Sequence, residues 1–249
     1  MKKLIVNADD FGFTRDVNAG IVAAHRRGIL TATTIMATGR AFVHAVELSR
    51  ENPDLDIGCH LVLVGSEGFP ATVPALLYAV ATRRIRIYDE LSAQVRRILD
   101  AGLRPTHLDT HKHTHLLPPV LDAVARISEE FSIPWVRRPL LPARFQRVLS
   151  KHGCRTTDHF AGFRMTGKYG APELAGLIRR LPEGVTEFMC HPGFCTAELR
   201  ASSTRLKESR QRELEALTSP QVRNALSEEG VELATYRTLV GQVSNLRAD

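Results

Sequence analysis

The sequence predicts a single-domain α/β fold, a closed or distorted (β/α) barrel of the TIM type. Three observations lead there. Short apolar, β-branched runs alternate with helical stretches, about eight strands in all, and such alternation favours parallel strands joined by crossover helices. The length, 249 residues, matches the roughly 250 residues such a barrel needs. The competing open, doubly wound sheet lacks its G-x-G-x-x-G fingerprint after the first strand. No composition shift, repeat or low-complexity segment divides the chain, so residues 1–249 read as one domain.

The elements follow in order. Leu4-Ile5-Val6 is a buried strand that runs into Asn7-Ala8-Asp9-Asp10. Residues 16–28 place Val17, Ile21, Ala24 and His25 at helical spacing, with Gly28 as the stop. Residues 31–37 are β-branched and strand-like, 42–48 helical, and 57–63 a second buried run. Residues 64–86, with Gly65, Gly68, Pro70 and Pro74, read as a loop insertion. A helix is expected over 88–102, a strand over 106–109, and a helix opened by Pro118. Beyond these come a short strand at 135–137, a helix at 142–152 and a weak strand around 156–163. A helix from Pro172 to near Leu181 precedes a strand at 185–190. A long helical region over 204–228 is broken at Ser219-Pro220, and 231–235 is the last expected strand; the tail after Gly241 carries no signal.

Composition narrows the function classes. Hydrophobic content is 43% and charged content 24%, enough apolar material for one sizeable core. The net charge is +6 and the pI about 9.4. The arginines are dispersed with no run of five like charges, so solvated helix faces explain most of that excess. Aromatic residues make up only 6%, too few for base-stacking platforms, and no nucleic-acid partner is expected. Cys59, Cys154, Cys190 and Cys195 form no C-x-x-C pair, which argues against a thiolate zinc site and for a reducing compartment. The apolar run at the N-terminus is shorter than the roughly 7–15 residues of a signal peptide, so a soluble cytoplasmic chain is expected. G-x-S-x-G, Walker, H-E-x-x-H and EF-hand patterns are all absent.

The polar residues gather at the predicted strand ends. Asp9 and Asp10 end the first strand, His60 the third, Asp109 and His111 the fourth, and His191 the strand at 185–190. In a parallel barrel the C-terminal strand ends converge on one mouth, where catalytic groups collect. Two adjacent half-buried carboxylates repel unless a cation or proton separates them. A divalent metal resolves that: one Asp ligates and the other stays free as a base. In an extended segment His111, His113 and His115 share a face with His107 and Asp109. Neutral imidazole is a common metal ligand, and a nearby carboxylate can fix its tautomer. The pattern predicts a metal-dependent hydrolase. Cys59 and Cys190 precede His60 and His191 directly, and strand neighbours face opposite sides, so neither pair should act as a thiol–imidazole dyad.

Four ordered motifs also resemble a known family. They are Asn7-Ala8-Asp9-Asp10-Phe11-Gly12, Gly58-Cys59-His60-Leu61, the segment from Thr106 to His115, and Glu187-Phe188-Met189-Cys190-His191-Pro192-Gly193. Together they are similar to the YdjC-like carbohydrate deacetylases. The resemblance implies a distorted (β/α) barrel that removes the acetyl group of an N-acetylated sugar with Mg²⁺ or Zn²⁺. It implies Asp10, His60 and His111 as the metal ligands, Asp9 as catalytic base, and His191 as acid or transition-state stabiliser. Asp109, His113 and His115 then become outer-shell or substrate contacts. Arg138 lies in a stretch similar to a family segment near the sugar. One branch of the family is associated with hopanoid lipid synthesis. The motifs therefore leave open a soluble oligosaccharide or a lipid-linked sugar, the latter with peripheral membrane contact; a homo-oligomer is the expected assembly. Two rival readings remain: a metal-dependent phosphoesterase on a similar barrel, and a non-catalytic binder of lipid or nucleic acid through the basic surface.

Overall fold

The structure is a computed structural model that describes residues 1–138 and 143–239; the expected featureless tail after Gly241 lies outside them. The strands are β1 (Lys2–Phe11), β2 (Ala32–Ile35), β3 (Asp56–Leu61), β4 (His107–Thr110), β5 (Trp135–Val136), β6 (His159–Ala161), β7 (Gly184–Cys190) and β8 (Glu232–Leu233). The helices are α1 (Arg15–Arg27), α2 (Phe42–Glu51), α3 (Val73–Ala81), α4 (Ile87–Asp100), α5 (Pro118–Glu130), α6 (Ala143–Lys151), α7 (Ala171–Ile178), α8 (Ala197–Ala201), α9 (Glu208–Thr218) and α10 (Pro220–Glu228).

Seven strands pair in the order β5-β4-β3-β2-β1-β7-β6, and every neighbouring pair is parallel. Followed round from β1, that order is chain order, as in a barrel. Trp135 on the β5 edge bridges in parallel to Arg155, only four residues before β6 begins, so the chain crosses the gap between the two edges. The last strand contributes little. β8 pairs only with Lys3 and Leu4, at the foot of β1. The result is a curved, incompletely closed α/β barrel, the distorted form that the alternation predicts.

Residues 64–86 depart from the expected loop, because they hold α3. Thr72 caps this helix by accepting from Ala75 N at 3.4 Å, and Pro74 sits in its first turn, where no intrahelical donor is lost. Its sequence, VPALLYAVA, is apolar on every face and so carries no amphipathic period by which to read it. Elsewhere the start signals match the helices. Thr14 Oγ1 accepts from Val17 N at 3.2 Å to open α1, a cap worth about 1 kcal/mol.

Strand alternation divides the core into two layers. On β1, Leu4, Val6 and Ala8 point outward into the large cluster shared with the helices. Ile5 points inward to Ala32, Trp135, Ala234, Tyr236 and Leu239, which plug the barrel's lower end. Each such aliphatic burial stabilises by about 1.5–3 kcal/mol. Above this plug the interior turns polar. The His107 ring stacks on Tyr236 with centroids 4.0 Å apart, and its Nε2 lies 3.0 Å from Asn7 Oδ1. Gly58 makes room for that ring, since a Cβ there would stand about 2.5 Å from it.

Candidate metal centre and its cavity

The first two site residues depend on a break in β1. Asn7 and Ala8 register with Ala32 and Thr33, but Phe11 registers with Ile35, so β1 carries one extra residue across Asp9–Asp10. Asp10 adopts a left-handed φ of 71° there. A regular strand would send consecutive side chains to opposite faces; the bulge lets both carboxylates reach the mouth. Aspartate tolerates the left-handed region better than most residues.

Asp9 faces inward and is clamped by Arg137. Nη2 donates to Oδ1 at 2.6 Å and Nη1 to Oδ2 at 2.9 Å. The same guanidinium meets Asp109 Oδ2 at 2.7 Å and Glu187 Oε1 at 2.7 Å. Burial alone would raise the Asp9 pKa, but the charge and hydrogen bonds of Arg137, together with the nearby His60 and His191, outweigh it and hold the carboxyl well below the usual range. Burial pushes Glu187 up instead, only partly offset by Arg137.

Asp10 sits among different partners. Oδ2 accepts from Arg210 Nη2 at 2.5 Å. Oδ1 lies 3.3 Å from His60 Nε2 and 3.2 Å from His111 Nδ1, and those two nitrogens are 3.2 Å apart. Oδ1 is buried yet makes no hydrogen bond among the described residues. His60 Nδ1 faces Asp109 Oδ1 at 2.7 Å, so its Nε2 side is turned to the triangle. Burial would lower the His60 pKa, but the charge and hydrogen bond of Asp109, with the Asp10 and Asp9 carboxylates close by, raise it to about 10.

This triangle fits a cation. Ligands about 2.0 Å from a tetrahedral ion stand about 3.3 Å from one another, close to the separations here. One carboxylate with two imidazoles is also a familiar donor set for a catalytic ion, with Asp109 orienting an imidazole from behind. A second group, Asp9, His60 and Asp109, also has its ligand atoms within 4.8 Å of one another. Its atoms are already satisfied: Arg137 takes both Asp9 oxygens, and Asp109 Oδ2 also accepts from Thr34 Oγ1 at 3.1 Å. The orphaned oxygen belongs to the first group, which is the better site.

The remaining predicted residues separate. His191 Nε2 is 3.8 Å from Asp9 Oδ2, and its Nδ1 has no hydrogen-bond partner among the described residues. Burial chiefly lowers its pKa, against the pull of Asp9 and Glu213. The segment at 111–116 is not extended: it forms a 3₁₀ turn in which Lys112 and His113 are both left-handed, at φ 52°. His111, His113 and His115 therefore do not share a face. His113 packs edge-on to Phe163 at 4.8 Å, and burial holds its pKa down to about 3. His115 turns back, its Nδ1 2.7 Å from Thr110 Oγ1. Arg138 donates to the Thr157 carbonyl at 3.2 Å, away from the cavity lining.

Asp9, Asp10, His60, His111, His113 and His191 line one cavity of about 470 Å³, with Phe163, Met189, Thr204 and Arg210 in its wall. A second hollow of about 730 Å³ adjoins it through Phe13, Gly65, Lys112 and Ser203, and extends over Ser66, Glu67, Phe69 and Ala71 of the insertion. The first alone is within the usual range for a small-molecule site.

With this arrangement established, comparison with known proteins is informative. The model of the family described as YdjC-like protein matches residues 3–228. The chain belongs to the YdjC-like family. Among YdjC-like relatives, a carbohydrate deacetylase from Geobacillus stearothermophilus is 36% identical, over 94% of this chain and 96% of its own length. A carbohydrate deacetylase from Brevibacillus brevis is 33% identical, over 95% and 99%. The crystal structure of an Enterococcus faecalis V583 protein, given a proposed role in cellobiose-phosphate cleavage, superposes with a TM-score of 0.81. It is 31% identical and covers 96% of this chain and 98% of that one. The YdjC-like fold is shared more distantly with the Xyl-CE4 domain of a xylanase from a Trinervitermes trinervoides hindgut metagenome, at TM-score 0.53 and 9% identity over 98% and 92%.

Several residues at this YdjC-like site were not singled out by sequence reasoning. Arg137 was passed over for its neighbour, although strand alternation from the inward Trp135 puts Arg137, not Arg138, inside. Arg210 and Glu213 both lie on the buried face of α9 with Leu214 and Leu217, where charged residues stand out against an apolar stripe. Glu213 Oε2 accepts from His191 N at 2.6 Å and from Tyr169 Oη at 3.0 Å, which fixes the His191 loop.

Proposed function

We propose that this chain removes the acetyl group of an N-acetylated sugar by hydrolysis, with a divalent cation held by Asp10, His60 and His111. One observation carries the metal: Asp10 Oδ1, buried and without a hydrogen bond among the described residues, stands 3.2 and 3.3 Å from two imidazole nitrogens. The sugar rests on the relatives named carbohydrate deacetylases. Two nitrogen donors favour Zn²⁺ over Mg²⁺, which prefers oxygen. When bound, such an ion acidifies water and polarises a carbonyl.

The protein's own groups supply the proton handling. Arg137 keeps Asp9 ionised and oriented, with lone pairs left to accept a proton at Oδ2. Its low basicity suits a proton from an already acidified water better than one from bulk solvent. His191 Nε2, 3.8 Å from Asp9 Oδ2, offers a short onward route for that proton to the leaving amine. The cavity walls, Phe163 and Met189 among them, limit competing water.

The test is acetate release from N-acetylglucosamine oligomers, with phosphate release from a phosphate monoester such as p-nitrophenyl phosphate followed in parallel. Acetate should appear, phosphate should not, and both a chelator and His111→Ala should abolish the acetate. Acetate release unaffected by chelation and by that substitution contradicts the metal; phosphate release in its place favours the phosphoesterase.

A further inference from the structure

Residues 194–239 carry none of the motifs, yet α9 projects two charged side chains into the site. Arg210 and Glu213 stand one turn apart on its inner face, each about 1% exposed. Glu213 holds the His191 loop. Arg210 reaches Asp10, its Nε bonding the Leu206 carbonyl at 3.3 Å and its Nη2 the Asp10 Oδ2 at 2.5 Å. Its stem lies against Gly193, where a Cβ would stand 3.2 Å from Arg210 Cδ. Nη1 makes no hydrogen bond among the described residues. A guanidinium buried only to fasten a helix would use more of its five donors. Here the shortest contact goes to a single oxygen of one carboxylate.

We infer that Arg210 is a positioning residue that makes Asp10 a one-oxygen ligand. It occupies Oδ2 and leaves Oδ1 facing His60 and His111. The inference rests on the metal reading above. Without Arg210, both oxygens of Asp10 are free to engage the same ion, and the position that a substrate oxygen needs is filled from within the protein. The cost then falls on turnover rather than on sugar affinity.

Cobalt(II) reports this directly, because its visible absorption weakens as its coordination number rises. In the cobalt protein, Arg210→Gln should retain one ion per chain and lose about half the visible absorbance of the parent. Its kcat should fall about tenfold, with KM within about threefold. Arg210→Lys keeps the charge without the planar fork, so its spectrum and kcat should lie between the two. If Arg210→Gln does not fold, Arg210→Lys is judged alone on the same intermediate shift. A parent-like cobalt spectrum in the variant that folds overturns the inference, whatever its activity, and leaves the metal reading standing. A parent protein that takes up no cobalt overturns both.

Discussion

Asp9 and Asp10 are consecutive residues in two unlike regions of the barrel. Asp9 belongs to the polar interior, where Arg137 takes both of its oxygens and also pairs with Asp109 and Glu187. Asp10 belongs to the mouth, where Arg210 takes one oxygen and two imidazoles face the other. Each carboxylate therefore has an arginine, and the difference lies in how much of the carboxylate the arginine covers. On the proposed reading, a two-oxygen clamp would keep Asp9 charged and off the ion, and a one-oxygen contact would leave Asp10 Oδ1 free to donate. Proximity alone would not separate them, since both groups of possible ligands lie within 4.8 Å.

Substitutions that remove one side of this contrast should differ in size. Asp10→Asn should have the largest effect, taking acetate release to background, because the only anionic ligand is neutralised. Asp9→Asn should lower kcat by about 10²–10⁴-fold, the usual contribution of a general base. A kcat within tenfold of the parent would remove Asp9 from proton transfer. Arg137→Met tests the interior itself. It leaves buried carboxylates without their counter-charge, at about 3–5 kcal/mol, which lowers Tm by about 6–20 °C in a chain of this size. A melting point within about 3 °C of the parent would mean that the interior network is not held by Arg137.

The smallest effect concerns protons at the mouth. In the metal-free chain the His60 pKa is raised from 6.5 to about 10. A raised folded-state pKa stabilises most fully below the unfolded value, so this contribution is complete below about pH 6.5 and is lost as pH rises through about 10. That raised pKa favours a protonated ring at pH 7.5, so an ion bound through His60 should displace its proton. Calorimetry of metal uptake in buffers of different ionisation enthalpy should show about one proton released per ion. No release would mean that His60 is neutral beforehand or is not a ligand.

Much of this was legible in the sequence, for identifiable reasons. Parallel alternation follows from buried runs such as Leu4-Ile5-Val6 and the strand ending at Cys190, and strand ends predict which polar residues meet. His60, His111 and His191 do meet Asp9 and Asp10 on one cavity. What escaped depends on backbone conformation that residue type does not mark. Nothing in Asp9-Asp10 announces a bulge with a left-handed aspartate, and nothing in Lys112-His113 announces two left-handed residues. The second of these breaks the shared face expected of His111, His113 and His115. Helix α3 escaped because a helix apolar on all sides has no period, while its glycines and prolines look like a loop. Arg210 escaped because it lies 200 residues from its partner in a segment without a motif.

On the proposed reading Asp10 holds the ion and Asp9 does not. The most direct measurement is metal content by elemental analysis of purified Asp9→Asn and Asp10→Asn, loaded and washed side by side. One ion per chain is expected in Asp9→Asn and none in Asp10→Asn. An ion retained by Asp10→Asn, or lost from Asp9→Asn while that chain remains folded, would contradict that reading.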